Sequence, residues 1–400
     1  MTAAKPQSGN TVPPGYKQTE VGVIPEDWDA TPLGELFDIT SSKRVFQRDW
    51  RSSGIPFYRA RELAVLGESG TVANDLFIDP NMYSSYKALY GVPQSGDMLV
   101  TGVGTLGKTY VVRGDHEFYF KDGNIIWFQI GESVEPHFLQ QLYLTPVIVR
   151  QIQGGSAGTT VGTYTIAGAK KTLIPLPSRA EQEAIAGALS DADAWIESLE
   201  KLIAKKRAIK QGAMQALLTP PGQPGHKRLP GFEGEWEVRR LGEVANIQRG
   251  ASPRPIDDPI WFDNSSPVGW VRISDVTCSG MYLQSTAQRL SPAGIRNSRP
   301  VARGNLIMSI CATVGRPVIL DIDVCIHDGF VVFEGLRVDR QFLYYMLKAL
   351  EDRWSRHGQT GSQMNLNTGL IGRTYVPMPA ASEEQTAIAT VLSDMDAETE

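Results

Sequence analysis

Apolar positions in this chain follow two kinds of pattern. The first is short runs of β-branched and aromatic residues, such as GIPFYRA, DMLVTGV and NIIWFQI, and later GWVRISDV, NLIMSICA and GFVVFEG. They lie among Gly-, Pro- and Ser-rich loops, and such bounded runs predict strands. One longer helix-like segment accompanies each set, PHFLQQLYLTPVIVRQIQ and RQFLYYMLKALEDRWSRH. Each is followed by a Gly/Ser/Thr loop, GGSAGTTVGT and GQTGSQMNLNT. The mixture predicts two α+β parts, roughly Tyr16–Leu173 and Arg228–Tyr375, each with a substantial sheet.

The second pattern begins after Pro177. Ile185, Leu189, Ala192, Ile196, Leu199 and Ile203 alternate steps of four and three, which is a heptad seam. The seam then shifts to Leu202, Ile209, Ala213 and Leu217, and Pro220-Pro221 ends it. Ser178 with Glu181, and Ser382 with Gln385, have the spacing of a capping box. Acids (Asp191, Asp193, Glu197, Glu200) precede bases (Lys201, Lys205, Lys206, Arg207, Lys210), an order that suits the helix dipole. A helix of about 40 residues would span roughly 60 Å. Its basic end reads either as a solvated face or as a contact with DNA phosphate or an acidic partner.

The two patterns recur in the same order. EQEAIAGALSDADA and EQTAIATVLSDMDA are offset by 203 residues, from Glu181 to Glu384. DWDATPLGEL matches EWEVRRLGEV, and SGDMLVTGVGTLGK matches RGNLIMSICATVGR, both at 208, from Trp28 to Trp236 and from Thr105 to Thr313. KDGNIIWF echoes IHDGFVVF, and HFLQQLYL echoes QFLYYMLK. One unit is therefore used twice. Trp28 and Trp236 read as core anchors rather than as platforms for stacked bases.

The chain has 400 residues and a formal charge of −5, so no global excess of positive charge marks it as a nucleic-acid binder. Binding requires only a local basic face. Cys278, Cys311 and Cys325 are far apart, and His116, His137, His226, His327 and His357 show no metal spacing. Free thiols in a reducing cytoplasm are expected, with no membrane span and no metal. Residues 1–15 are small and polar and read as a disordered lead-in.

One motif suggests an enzyme. VTGVGTLGKTYVV contains G-x-x-x-x-G-K-T and G-x-G-x-x-G, the signatures of phosphate-binding loops. Both need a helix immediately afterwards, but the following residues read as strands. In the second copy the loop is ICATVGRP, with Ile310, Arg316 and Pro317 in place of glycine, lysine and threonine. A nucleotide-driven ATPase is thus the disfavoured alternative. A coiled-coil scaffold without DNA contact is another, and two large loop-rich parts argue against it.

The arrangement resembles the specificity (S) subunit of type I restriction–modification systems. GYKQTEVGVIPEDWDATPLGEL and LPGFEGEWEVRRLGEV look like the approaches to its two target-recognition domains. IPLPSRAEQEAIAGALSDADAWIESLEKLIAKKRAIKQGAMQALLT looks like its central helical region. The resemblance implies an α+β fold of two similar mixed α/β target-recognition domains in pseudo-twofold repeat, separated and followed by long coiled-coil-type helices. The expected limits are 16–175 and 220–377 for the domains, 176–219 for the spacer helix and 378–400 for the start of a distal helix. In the family the distal helix matches the central one in length. Here the second copy stops at Glu400, where the first reads Ile196-Glu197 and continues to Leu217.

The resemblance further implies a non-catalytic subunit that binds no cofactor itself. Each domain reads half of a bipartite double-stranded DNA target. The helices set the spacing and dock two methylation subunits, which use S-adenosylmethionine. Restriction subunits using ATP and Mg join the larger complex. Groove readout needs Arg, Lys, Gln, Asn, Ser or Thr on loops. The DNA-binding candidates are Lys43, Arg44, Arg59, Arg61, Thr105, Lys108, Ser156 and Thr159 in the first domain. In the second they are Arg249, Arg254, Arg272, Thr313, Arg316, Thr360, Ser362 and Gln363. For Arg59 and Arg272, an ion pair with the acid that follows is an equal reading. The helix face expected to dock partners comprises Ile185, Leu189, Ile196, Leu199, Ile203, Ile209 and Leu217.

Overall fold

The computed structural model describes residues 12–114, 116–154, 162–356 and 366–398. Most of the expected N-terminal lead-in lies outside them. The chain divides into two compact units, residues 1–197 and 198–400. The helix Arg179–Leu218 runs from one into the other.

The first unit is built on a four-stranded antiparallel sheet ordered Asp38–Thr40, Ile125–Gln129, Met98–Thr101, Thr109–Val111. Alternate residues of a strand point to opposite faces, and here both faces are covered. Met98, Val100, Ile126 and Phe128 pack with Leu139, Ile148 and Ile152 of the helices Pro136–Leu142 and Pro146–Gly154. Leu99, Ile125 and Trp127 pack with Leu63 and Leu66 of the helix Ala60–Ser69. That double burial explains why these strands read as continuous apolar runs rather than as alternation. A second small sheet joins Trp50–Arg51, Phe77–Ile78, Ile55–Tyr58 and Tyr119–Phe120.

The second unit repeats the plan. Asn246–Arg249, Phe330–Glu334, Leu306–Ser309 and Pro317–Leu320 run antiparallel, and Tyr282–Leu283 adds a parallel edge. Leu306, Met308, Val331 and Phe333 face Phe342, Tyr345 and Met346 of the helix Arg340–Arg356. Ile307, Val318, Leu320 and Val332 face Val271, Val276 and Ile326. The helix predicted in each unit is thus single in the second but split in the first. Pro146 has no N–H to give and cannot sit in a helix interior, so it opens a new helix instead. The helices Ala60–Ser69 and Pro80–Tyr90 were not expected from the strand-like runs around them.

Each unit is closed by a two-stranded ribbon: Asp29–Pro32 pairs with Leu173–Leu176, and Trp236–Arg240 with Tyr375–Pro379. Each ribbon leads into a helix, Arg179–Leu218 or Ser382–Ala397. The repeated Glu-Gln pair then acts as a clamp. The Trp28 indole N–H donates to Glu181 at 3.2 Å, and that of Trp236 to Glu384 at 3.3 Å. Gln182 accepts from the Glu135 amide at 2.9 Å and donates to the Pro177 carbonyl at 3.0 Å. Gln385 accepts from the Asp339 amide and donates to the Pro379 carbonyl, both at 2.8 Å. The tryptophans are half-buried anchors. The capping box is only partly formed. Ser178 accepts from the Glu181 amide at 3.4 Å, but the Glu181 side chain is committed to Trp28. Ser382 lies inside its helix, whose N-cap is Ala381.

Among the described residues no helix is long and apolar enough to cross a membrane, and no group of three or more His, Cys, Asp or Glu is placed to hold a metal. Cys278, Cys311 and Cys325 carry free thiols.

The clamp makes a stability prediction. Gln182 and Gln385 are buried, so truncation strands an amide N–H and a carbonyl in each case. Gln182→Ala and Gln385→Ala should each cost about 1–3 kcal/mol, the penalty of leaving buried polar groups unpaired. Denaturant unfolding measures this directly; a loss below about 0.5 kcal/mol, the low end of net hydrogen-bond worth, would remove the clamp from the account.

Candidate nucleic-acid interface

In each unit three loops meet at one end of the strands of the main sheet. In the first, the Gly102 amide donates to the Asn124 carbonyl at 2.8 Å, joining the glycine-rich loop to the turn Asp122–Asn124. Ser41 joins the loop after Asp38–Thr40 to the same turn, donating to the Ile125 carbonyl at 2.7 Å. In the second, Ile310 donates to the Gly329 carbonyl at 2.8 Å and Gly250 to the Phe330 carbonyl at 2.9 Å. Matched strands therefore carry matched loops to matched places.

The glycine-rich loop is a structural turn and not a phosphate cradle. The amides beside its lysine are already used: Gly107 donates to the Thr101 carbonyl at 2.9 Å and Lys108 to the Thr101 hydroxyl at 3.0 Å. That hydroxyl donates in turn to the Thr105 carbonyl. The chain then enters the strand Thr109–Val111, so no helix begins where the loop ends. The second copy is wired identically. Gly315 donates to the Ser309 carbonyl at 2.8 Å, Arg316 to the Ser309 hydroxyl at 3.2 Å, and that hydroxyl to the Thr313 carbonyl. Glycine is required at both turns, with φ of +75° at Gly107 and +88° at Gly315. A Cβ there would come within 2.8 Å of Ile152 Cδ1 or Trp354 Cε3.

The candidate side chains divide into exposed and committed groups. Lys43, Arg44 and Thr105 are exposed on the converging loops. The Lys43 ammonium lies 5.1 Å from the Tyr90 ring centre, and Arg44 Nε donates to Asp122 at 2.8 Å. Lys108 pairs with Glu68 at 2.6 Å. Arg59 is held for structure. Its Nε and Nη2 grip the buried Glu62 at 2.9 and 2.7 Å, and Nη2 also reaches Asp75. The Glu62 carboxyl is consequently lowered despite burial, which pushes it upward. Arg61 is exposed on the same helix.

In the second unit Arg249 and Arg254 are exposed around Asp328. Arg249 Nε donates to the Asp328 carbonyl at 2.6 Å, and Arg254 Nη2 lies 3.3 Å from its carboxylate. Ser252 donates to the other carboxylate oxygen at 2.7 Å. Arg272 does not use its side chain on the following acid. Its amide donates to Asp275, while its guanidinium donates to Gln288 at 2.8 Å and lies 5.8 Å from the Trp270 ring centre. Arg316 bonds the carbonyls of Thr277 and Ser279 at 3.2 and 3.4 Å, so it braces a neighbouring segment. Ser156, Thr159, Thr360, Ser362 and Gln363 lie outside the described residues.

The turns Asp122–Asn124 and His327–Gly329 were missed as site elements. The repeated Asp-Gly in KDGN and IHDG was the available signal. Burial lowers the His327 imidazole, keeping it neutral near pH 7, and its Nδ1 accepts from the Gly329 amide at 2.9 Å.

On the long helix, Leu189, Ile196, Leu199, Ile203 and Ile209 are all exposed, and Trp195 is 74% exposed. Ile185 is half-buried, and Leu217 is buried in the core of the second unit. The basic end of the helix meets acids of the helix Ser382–Ala397 and the residue after it: Lys210 pairs with Asp396, and Lys206 with Glu398 at 2.7 Å. The Tyr345 hydroxyl donates to Asp396 at 2.6 Å.

Two predictions follow from these loops. Gly315→Ala forces a Cβ into both a left-handed backbone and the Trp354 ring, and should cost about 1–3 kcal/mol by thermal unfolding. The Asp328 carboxyl is held below its ordinary 3.8, first by the Ser252 hydroxyl and then by Arg254. A depressed carboxylate adds stability above its unfolded value that disappears as pH falls through the folded one. Asp328→Asn should therefore flatten the loss of stability below about pH 4, the unfolded range of an aspartate. Unfolding curves at pH 3 and pH 6 test it; equal acid sensitivity in both proteins would refute the assignment.

Known proteins carry the same architecture. The family profile described as the type I restriction modification DNA specificity domain matches residues 25–209 and again 233–400. The type I restriction enzyme MjaVIII specificity subunit of Methanocaldococcus jannaschii is 31% identical, with 93% of this chain and 87% of that protein covered. The putative MjaX specificity subunit of the same organism is 25% identical, covering 95% and 89%. Among solved structures, the type I restriction–modification S subunit from M. genitalium superposes with a TM-score of 0.56 at 16% identity, covering 93% and 90%. A chain from a type I R-M system studied for complex assembly gives 0.58 at 21%, covering 94% and 92%. These structures share the fold. With two copies of the domain spanning most of its length, the chain belongs to the type I restriction–modification DNA specificity family.

Proposed function

We propose that this chain is the non-catalytic DNA sequence-specificity subunit of a type I restriction–modification complex. One observation carries the reading: two units of the same construction present different side chains on the same three loops, and one continuous helix joins them. A common scaffold with variable loops is how one fold serves two recognition tasks. Each unit reads one half of a bipartite duplex target. The exposed lysine and arginine side chains supply the local positive charge that an overall charge of −5 conceals.

The long helix is the spacer. Its exposed apolar face, from Leu189 to Ile209, is the docking surface for two methylation subunits. Leu217 serves the chain's own core instead. S-adenosylmethionine is bound by those methylation subunits, and ATP with Mg by restriction subunits where these join; this chain supplies address rather than chemistry. Its place in the cytoplasm follows from that of the DNA.

Modularity is tested by exchange. Replacing Tyr16–Leu173 with the first domain of a relative should change one half of the methylated motif, read by sequencing methylated adenines. A change in both halves would end the modular reading. The spacer is tested by inserting four helix-favouring residues after Ala204, adding about 6 Å at 1.5 Å per residue. DNA rises about 3.4 Å per base pair, so the gap should grow by one or two base pairs, with reduced activity and unaltered half-sequences. The original gap at full activity would show that the spacing is set elsewhere.

A further inference from the structure

We propose that Arg44 and Arg254 read a guanine in the two half-sites, and that Asp122 and Asp328 are positioning residues that aim them. This rests on the reading of each unit as a DNA reader and goes beyond it by naming the base and the device.

In the first unit the loop carrying Arg44 is pinned along its length. Ser42 donates to the Phe120 carbonyl at 2.7 Å, the Lys43 amide to the Tyr119 hydroxyl at 2.9 Å, and Tyr86 to the Arg44 carbonyl at 3.2 Å. Arg44 therefore starts from a fixed backbone. Its Nε donates to Asp122, whose side chain is 16% exposed, while the arginine side chain stays 66% exposed. A guanidinium held by Nε keeps its two terminal nitrogens for another partner. Two parallel N–H donors on an exposed arginine match O6 and N7 of guanine, which no other base presents together.

The second unit uses an aspartate of its own turn differently. Ile39 pairs with Phe128 in the first sheet, and Ile247 with Phe333 in the second. Counting onward, Ser252 occupies the register place of Arg44, and it too bonds the turn carboxylate. The arginine has moved two residues on, to Arg254, which reaches Asp328 through Nη2 at 3.3 Å with its side chain 72% exposed; Nη1 and the second Nη2 hydrogen remain as the outward pair of donors. By the same register Asp328 stands opposite Gly123 and His327 opposite Asp122, so acid and arginine have both moved while an arginine-to-turn-aspartate contact is retained.

The arginine of each pair is largely exposed, so the ion pair itself contributes little stability, and the carboxylate of Asp328 is held first by Ser252. A carboxylate on a surface that meets phosphate is repelled unless it serves a cation. Holding the guanidinium in advance removes the entropy of ordering it on binding.

The test uses the complex of the full chain with its methylation subunits, on duplexes built from the motif that complex methylates. Each base pair of the motif is varied in turn. Arg44→Gln should lose about 10–100-fold discrimination at a single G·C position of one half-site, the range of a bidentate contact. Asp122→Asn should relax that same position more weakly, and Asp122→Glu should restore it. Arg254→Gln and Asp328→Asn should do likewise in the other half. The guanine assignment is overturned if the relaxed position is A·T, or if binding falls equally on all sequences with a flatter salt dependence, the mark of a phosphate contact. The positioning role is overturned if Arg44→Gln relaxes a position that Asp122→Asn leaves intact. A domain exchange that alters neither half-site would instead defeat the parent reading of the units as DNA readers.

Discussion

Each unit depends on how its two ends are tied to the start of the following helix. A ribbon of two short strands brings the ends together, but its strands are too short to persist alone. The Glu-Gln pair at the head of the helix completes the junction. The glutamate takes the indole N–H of the tryptophan that opens the unit, and the glutamine fills two backbone vacancies, one before the helix and one on a packed helical turn. In this way sheet, ribbon and helix become one cooperative body. The repeat retains these two residues while the loops between diverge, which is the pattern expected where junction geometry is fixed and surface chemistry varies.

With the junction set, the strand ends become rigid platforms. The hydroxyl at Thr101 or Ser309 ties its loop into a tight turn, and glycine at the next bend lets a core side chain approach. This wiring takes the amides of Gly107 and Lys108, and a strand rather than a helix follows, so a motif that spells a phosphate loop does not form one. Recognition must then come from side chains. Exposed cations at these loops have fixed partners: carboxylates for Arg44, Lys108 and Arg254, a tyrosine ring for Lys43 and a carbonyl for Arg249.

The long helix has a different energetic character. Its ends are packed, whereas its middle exposes Leu189, Trp195, Ile196, Leu199, Leu202 and Ile203. Continuous apolar exposure on one helix face is unfavourable in water, which is the physical ground for the docking role proposed for it. Two bases of its C-terminal part, Lys206 and Lys210, are paired with Glu398 and Asp396 of the same chain.

What the sequence by itself determined is whatever rests on local period and on self-similarity. The duplication, the helix after Pro177 with its stop at Pro220, the strand-rich units and the absence of a helix after the Gly-Lys-Thr turn were all legible, because each depends on residues near one another in the chain. Tertiary structure alone decided which charges are available. Arg59 and Arg44 look alike in sequence, yet one is spent on a buried glutamate three residues away and the other is held outward by an aspartate 78 residues away. The split helix at Pro146, the Trp28–Glu181 bond across 153 residues and the burial of Leu217 at the end of an otherwise exposed seam are of the same kind. A side chain's partner is set by packing that brings distant segments together, and neither periodicity nor composition encodes that proximity.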